Sequence, residues 1–277
     1  MLKLKYSSEK LIFLVLCVLL LCSMQACSAC TGVYVGSDVS DDGSIIVARS
    51  NDYPAVWGNH ITVTPGVENE SGRFMPVSDD GDIKTEIPET TYQYTATPYM
   101  NSTIAITNKA AYDAAGSTNE HGVVMTLSVT AHLNDAALKV DPRLDIGICE
   151  DSATDIVMCQ SKTAREAVDV LLGSIDTYGS AESNIALIAD QNEAWYVEMY
   201  TGHQYAAVKL PADKVSVFGN EYSLEYLSDF EESITSKELI SLAEENGFAV
   251  YGKNNEINLF ETYAGKQITT DYNHLRT

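Results

Sequence analysis

The 277-residue chain carries 17 basic and 39 acidic side chains, a formal net charge of −22, which argues against binding to nucleic acid or to anionic membranes. A hydrophobic fraction of 45% with 16 tyrosines marks a globular chain, long enough for one large core or two modest ones. Of the six cysteines, Cys17, Cys22 and Cys27 fall near the N-terminus, leaving Cys30, Cys149 and Cys159: too few for a disulfide framework, with a Cys149–Cys159 pairing open and no spacing for structural metal.

In chain order, the first 29 residues read as a secretory leader. Lys3, Lys5 and Lys10 precede an apolar run from Leu11 to Cys22, and the small residues Ala26, Ser28 and Ala29 follow. That run is shorter than the roughly 20 residues of a membrane-spanning helix, so the leader is expected to be removed, with no membrane attachment afterwards. Cleavage after Ala29 exposes Cys30 directly. Cleavage after Ala26 leaves Cys27-Ser28-Ala29 as a short propeptide that needs a second cut. Lipidation of Cys27 is the less favoured alternative, because Met24-Gln25-Ala26 fits a lipoprotein signal poorly. The plan is a leader over 1–29 and one domain over 30–277, exported from a bacterial cell to the periplasm or outside.

An exposed Cys30 would carry its own α-amino group beside its thiol. An amine titrating at roughly 7.7–8.0 can accept the thiol proton near neutrality, joining nucleophile and base in one residue. From Ser28-Ala29-Cys30-Thr31-Gly32 alone, an ordinary small residue near a processing site is the better reading of Cys30; the rest of the chain shifts the balance.

Short β-branched and aromatic runs follow, punctuated by turn residues. Gly32–Gly36 and Ser44–Arg49 flank Asp41-Asp42-Gly43 as a hairpin. Strands are predicted at His60–Pro65, Thr103–Thr107 and Gly122–Thr130. A second hairpin pairs Ile185–Ala189 with Ala194–Met199 across Asp190-Gln191-Asn192-Glu193, and Tyr205–Lys209 and Val215–Phe218 come next. The pattern predicts helices over Asp151–Met158 and over Thr163–Ile175, the latter with Ala164, Ala167, Val168, Leu171 and Leu172 on one face. A weaker helix is predicted from an N-cap at Ser236 to Asn246-Gly247. Strands grouped on either side of a helical block point to antiparallel sheets covered by helices.

Several of these segments carry a family resemblance. Cys30-Thr31-Gly32, the first hairpin and Ala48-Arg49-Ser50-Asn51-Asp52 resemble the opening of the cysteine-type dipeptidases among the N-terminal-nucleophile hydrolases, relatives of the choloylglycine (bile-salt) hydrolases and penicillin V acylases. The likeness continues in order through Asn119-Glu120-His121-Gly122-Val123, Lys162-Thr163-Ala164-Arg165-Glu166, Ala194-Trp195-Tyr196-Val197-Glu198, Gly202-His203, Val208-Lys209-Leu210-Pro211, Phe218-Gly219-Asn220-Glu221 and Tyr272-Asn273-His274-Leu275-Arg276.

The resemblance implies an α+β fold, a four-layer αββα sandwich of two antiparallel sheets face to face with helices outside and Cys30 at the rim. It implies hydrolysis of a small peptide through a thioester on Cys30, with no cofactor and no metal; a homo-oligomer stays open. Residue by residue, it implies that Arg49 holds the sulfur as thiolate, that Asp52 orients the α-amine, that Asn220 stands near the amine or the developing oxyanion, and that Arg276 closes the charge network. Plainer readings stand beside these: Arg49 and Asp52 as a surface ion pair at a hairpin end, and Asn220 as a turn residue before Tyr222.

The chain departs from that pattern twice. The bile-salt hydrolases carry a second oxyanion asparagine on the central strand, and Met125–Thr130 has none, so Ser128 and Thr130 become the candidate donors; losing such a donor costs on the order of 2.7–4 kcal/mol. Family members also continue well beyond the late arginine, whereas only Thr277 follows Arg276 here. The sandwich is therefore expected to be incomplete at its C-terminus, with an uncovered sheet face or unpaired edge and poor activity. Acyl-amide hydrolysis of bile-salt or penicillin-like substrates is the alternative activity, and a non-catalytic exported binding protein the alternative class. His60, His121, His132, His203 and His274 read as solvated or structural, and Asp79, Asp80 and Asp82 as a solvated loop.

Overall fold

The computed structural model describes residues 30–50, 61–78, 82–98, 114–129 and 133–264. The expected leader, the expected strand at Thr103–Thr107 and residues Asp52, Thr130 and Arg276 lie outside them. Strands β1 (Thr31–Val35), β2 (Ile46–Ser50) and β12 (Val215–Phe218) form a three-stranded antiparallel sheet in the order β12-β1-β2. An eight-stranded antiparallel sheet is built from β3 (Thr62–Thr64), β6 (Tyr94–Pro98), β7 (Ala114–Asn119), β8 (Val124–Val129), β9 (Asn184–Ala189), β10 (Ala194–Met199), β11 (Tyr205–Lys209) and β13 (Ser233–Thr235). Its order is β13-β11-β10-β9-β8-β7-β6-β3, and β4 (Phe74–Pro76) pairs with β5 (Lys84–Glu86) in a separate ribbon.

Both faces of the large sheet are covered, which explains why β9 and β10 read as unbroken apolar runs. Successive side chains of a strand point to opposite faces. On one face, Ala186, Ile188, Trp195, Val197 and Ala207 pack with α2 (Glu150–Met158) and α3 (Ala164–Tyr178). On the other, Ile185, Leu187, Tyr196 and Val208 pack with Tyr34 and Phe218 of the small sheet. Helix, large sheet and small sheet therefore stack as three layers of the expected sandwich. On the outer face of the small sheet, Ile46 is 46% exposed, Val215 54% and Val217 43% among the described residues.

Local chemistry sets the element ends. Thr163 caps α3 by accepting from the Glu166 backbone N–H at 3.1 Å, and the buried Ala167, Val168, Leu171 and Ile175 repeat at helical spacing below it. Each large apolar side chain buried there contributes about 1.5–3 kcal/mol. The turn between β9 and β10 is held by Asp190, whose carboxylate accepts from the N–H groups of Asn192 and Glu193 at 2.7 and 3.1 Å and from Ala164 N–H at 2.8 Å. One carboxylate thus ties the hairpin to the start of α3. At the far end of β10, Asp141, just after α1 (Asp135–Val140), takes bonds from Thr201 Oγ1 and from His203 N–H and meets His203 Nδ1 at 2.9 Å. Burial pushes its carboxyl up, yet the bonds from His203 and Thr201 outweigh this and hold it below the ordinary carboxylate range.

Three expectations change. Ser236 does not cap the late helix α4 (Leu239–Glu245): its hydroxyl donates to Gln204 Oε1 at 2.7 Å and accepts from Tyr205 N–H, so it serves β11 instead. Cys149 and Cys159 are two buried thiols rather than a disulfide, and burial pushes the Cys159 thiol up to about 12. Strands β6 and β7, missed in the sequence, are rich in threonine, serine, alanine and glycine and lack the aliphatic pattern that marks their neighbours. Among the described residues no helix is long and apolar enough to cross a membrane.

Candidate active site

The edge of the small sheet brings together residues from four distant parts of the chain. Cys30 directly precedes β1 and is 7% exposed. Strand β2 runs antiparallel to β1 with Arg49 opposite Gly32, and Thr31 N–H donates to Ser50 Oγ at 3.1 Å. Val47 and Arg49 point inward along β2 while Ile46, Ala48 and Ser50 point out. The guanidinium is thereby aimed between the sheets, where its Nη2 lies 3.0 Å from Cys30 Sγ. The same nitrogen donates to Glu150 Oε1 at 2.8 Å, and the two side chains are only 9% and 6% exposed. Arg49 is therefore no surface ion-pair residue.

Glu150 was not legible as a site residue. It opens α2, with Cys149 at the N-cap, and its own backbone N–H donates to Glu182 Oε2 at 2.9 Å. Helix α2 is fixed against the large sheet by Tyr94, which donates to Asp155 Oδ1 at 2.5 Å, and by Asn119, whose Nδ2 donates to the carbonyls of Met158 and Ser161 at 3.1 and 2.7 Å. Asn119 also accepts the N–H groups of His121 and Val123 across a turn where Gly122 adopts φ +79°. That turn needs a residue free to take positive φ. The Asn119–Val123 motif thus anchors α2, and through α2 the carboxylate beside Arg49.

Asn220 reaches the same edge from β12. Phe218, the last residue of β12, pairs with Gly32, and Asn220 follows two residues beyond it. Its Nδ2 donates to the Val129 carbonyl at 2.7 Å, which bridges the small sheet to β8 of the large one and leaves a second amide hydrogen. Ser128, adjacent to Val129 and 6% exposed, shares a strand face with Thr126, and both line a narrow gap with Gly32, Arg49 and Phe218. The predicted oxyanion candidate therefore points into the space between the sheets.

A second buried carboxylate holds the segment after Asn220. Glu198, fully buried on β10, accepts from Tyr196 OH at 3.0 Å, Tyr200 OH at 2.9 Å, Ser223 N–H at 2.5 Å and Leu224 N–H at 3.0 Å. Burial raises its carboxyl above the usual value despite those four donors. Tyr222 OH donates to the Met199 carbonyl at 2.6 Å, and Tyr196 stacks on Phe218 with ring centroids 4.3 Å apart. Beyond Arg49, a cleft of about 350 Å³ opens between β2 and strands β6 to β8, lined by Val47, Ile61, Thr95, Thr97, Thr118 and Thr126 among others.

The fold and these contacts define a class: an antiparallel two-sheet sandwich with a thiol–guanidinium centre at the start of the first strand of its smaller sheet. The particular family follows, for residues 29–277 match the model of peptidase family C69, and the chain belongs to that family. It is 36% identical over 239 residues to the probable dipeptidase B of Streptococcus pyogenes serotype M1, covering 85% of this chain and 47% of that protein. The probable dipeptidase of Salmonella dublin is 32% identical over 222 residues, covering 79% and 49%. The chain spans about half the length of these curated relatives. Two solved structures are more distantly similar: penicillin V acylase from Agrobacterium tumefaciens, at TM-score 0.34 and 16% identity over 69% of this chain and 49% of that one, and a point mutant of conjugated bile acid hydrolase from Clostridium perfringens, at 0.35 and 13% over 83% and 63%. The fold assignment rests on the layers and strand order above.

Proposed function

We propose that the protein is an exported cysteine peptidase that hydrolyses dipeptides, with Cys30 as its N-terminal nucleophile once the leader is removed. The observation that carries this reading is the 3.0 Å approach of Arg49 Nη2 to Cys30 Sγ at the start of β1. Membership of the C69 family and relatives named as probable dipeptidases support the substrate class. The thiolate attacks the scissile carbonyl carbon, and the Cys30 α-ammonium passes a proton to the departing amide nitrogen, releasing the C-terminal amino acid. The resulting thioester is cleaved by water, whose proton goes to the amine as the sulfur leaves. The second hydrogen of Asn220 Nδ2, with Ser128, is suited to stabilise the oxyanion. The cleft beside Arg49, at about 350 Å³, falls within the roughly 300–1,000 Å³ range of small-molecule sites. Asp52, Thr130 and Arg276 remain proposed members of the site by family likeness, and no cofactor is invoked. A periplasmic or extracellular location follows from the leader.

The test is hydrolysis of unblocked dipeptides against N-acylated amino acids by the secreted protein and its Cys30→Ala variant. Turnover of the unblocked peptides alone, lost in Cys30→Ala, is expected. Preference for acylated substrates would move the protein to the acyl-amide hydrolases, and no turnover of either would leave the non-catalytic alternative.

A further inference from the structure

The thiol–guanidinium contact has a third member. A single nitrogen of Arg49 serves both Cys30 Sγ and Glu150 Oε1, so the carboxylate oxygen lies within two hydrogen-bond lengths of the sulfur. An arginine buried to 9% exposure keeps a fixed place only if an anion holds it, and the sulfur stops being one whenever it is protonated or acylated. Glu150 is well suited to be the constant partner. It sits on a helix pinned to the large sheet by Tyr94 and Asn119, and its backbone is held in turn by Glu182.

We propose that Glu150 is a positioning residue of the reaction: it holds Arg49 against Cys30 through the whole cycle, and its negative charge limits how strongly that cation draws the sulfur to thiolate. The inference rests on Cys30 being the nucleophile. The charged groups that the described elements place around this centre are the α-amine that Cys30 carries once the leader is removed, Arg49 on β2, Glu150 and its neighbour Asp151 on α2, and Glu182 ahead of β9; the amine is common to every variant below and so drops out of the differences between them. With Glu150 neutral, Arg49 would face the sulfur without that competing anion, so thiolate would persist to lower pH; with Glu150 absent as an anchor, the guanidinium would hold the sulfur less well in line for attack.

The test is the pH–rate profile for alkylation of Cys30 by iodoacetamide, located by peptide mass, in the wild type, Glu150→Gln and Glu150→Asp, alongside thermal melts and dipeptide turnover. Glu150→Gln is expected to lower the alkylation midpoint by about 1 pH unit and to reduce kcat about tenfold or more with KM little changed. Glu150→Asp, which keeps the charge, is expected to stay within about 0.3 unit of the wild-type midpoint. An unchanged or raised midpoint in Glu150→Gln, or an equal fall in both variants, would overturn the proposal. Should Glu150→Gln not melt cooperatively, Glu150→Ser takes its place and is read the same way: a lowered midpoint beside an unchanged one in Glu150→Asp supports the proposal, and an unchanged or raised midpoint overturns it. Alkylation reads the thiol whatever the substrate, so absence of dipeptide turnover with the midpoint shift present would count against the proposed activity and not against Glu150.

Discussion

The two sheets differ in how completely they are covered, and the thiol and its arginine sit on the less covered one. Every residue of β9 and β10 is buried, between helices on one side and the small sheet on the other. Strand β2 alternates half-buried and exposed residues, and β12 leaves Val215 and Val217 open. The large sheet is therefore where stability concentrates. The small sheet takes its position from a few inward contacts: Tyr34 and Phe218 in the inter-sheet core, Arg49 on Glu150, and Asn220 on Val129. Among the described residues, this division gives a strand end held by inward contacts, with a cleft beside it.

The comparison predicts unequal responses to equivalent damage. The largest loss of stability is expected at Trp195, fully buried under α3 with Arg165 stacked 5.3 Å from its ring. Trp195→Ala should cost about 3–5 kcal/mol in denaturant unfolding, enough to threaten folding itself. A loss under about 1 kcal/mol would show that the large sheet is not the stability frame. At the other extreme, Val217→Thr on the open face of β12 should change stability by less than about 0.5 kcal/mol and leave alkylation of Cys30 unchanged. A cost near that of a core substitution would mean that this face is covered in solution.

Much of the frame was legible in the sequence because its causes are local. The continuous apolar runs of β9 and β10, the Asp190 turn and the one-sided apolar spacing of Ala164, Ala167, Val168, Leu171 and Leu172 each announce themselves within a few residues. Strands β6 and β7 did not, since Thr95, Thr97, Ser117 and Thr118 break the apolar pattern that marks their neighbours. At the site, the leader boundary raised Cys30 and family likeness favoured it, whereas Arg49 and Asn220 were named only through that likeness, because the approach of Arg49 to Cys30 depends on strand register rather than on spacing. Glu150 escaped notice for a different reason. An acidic residue in the first turn of a helix is already explained by the helix dipole, so nothing local marks it as the partner of an arginine on another sheet. Glu198 lies within one of the family-like segments, but its role in clamping Ser223 and Leu224 behind Asn220 arises only from the packing of β10 against that loop.

The central claim is that Cys30, held by Arg49 at the start of β1, forms the covalent intermediate. The measurement that tests it most directly is intact-mass and peptide mapping of the protein acid-quenched within milliseconds of mixing with a dipeptide. The account predicts an added aminoacyl mass on the peptide that begins at Cys30, absent in Cys30→Ala and present at lower occupancy in Arg49→Gln. Dipeptide turnover with no adduct on Cys30, persisting in Cys30→Ala, would contradict it.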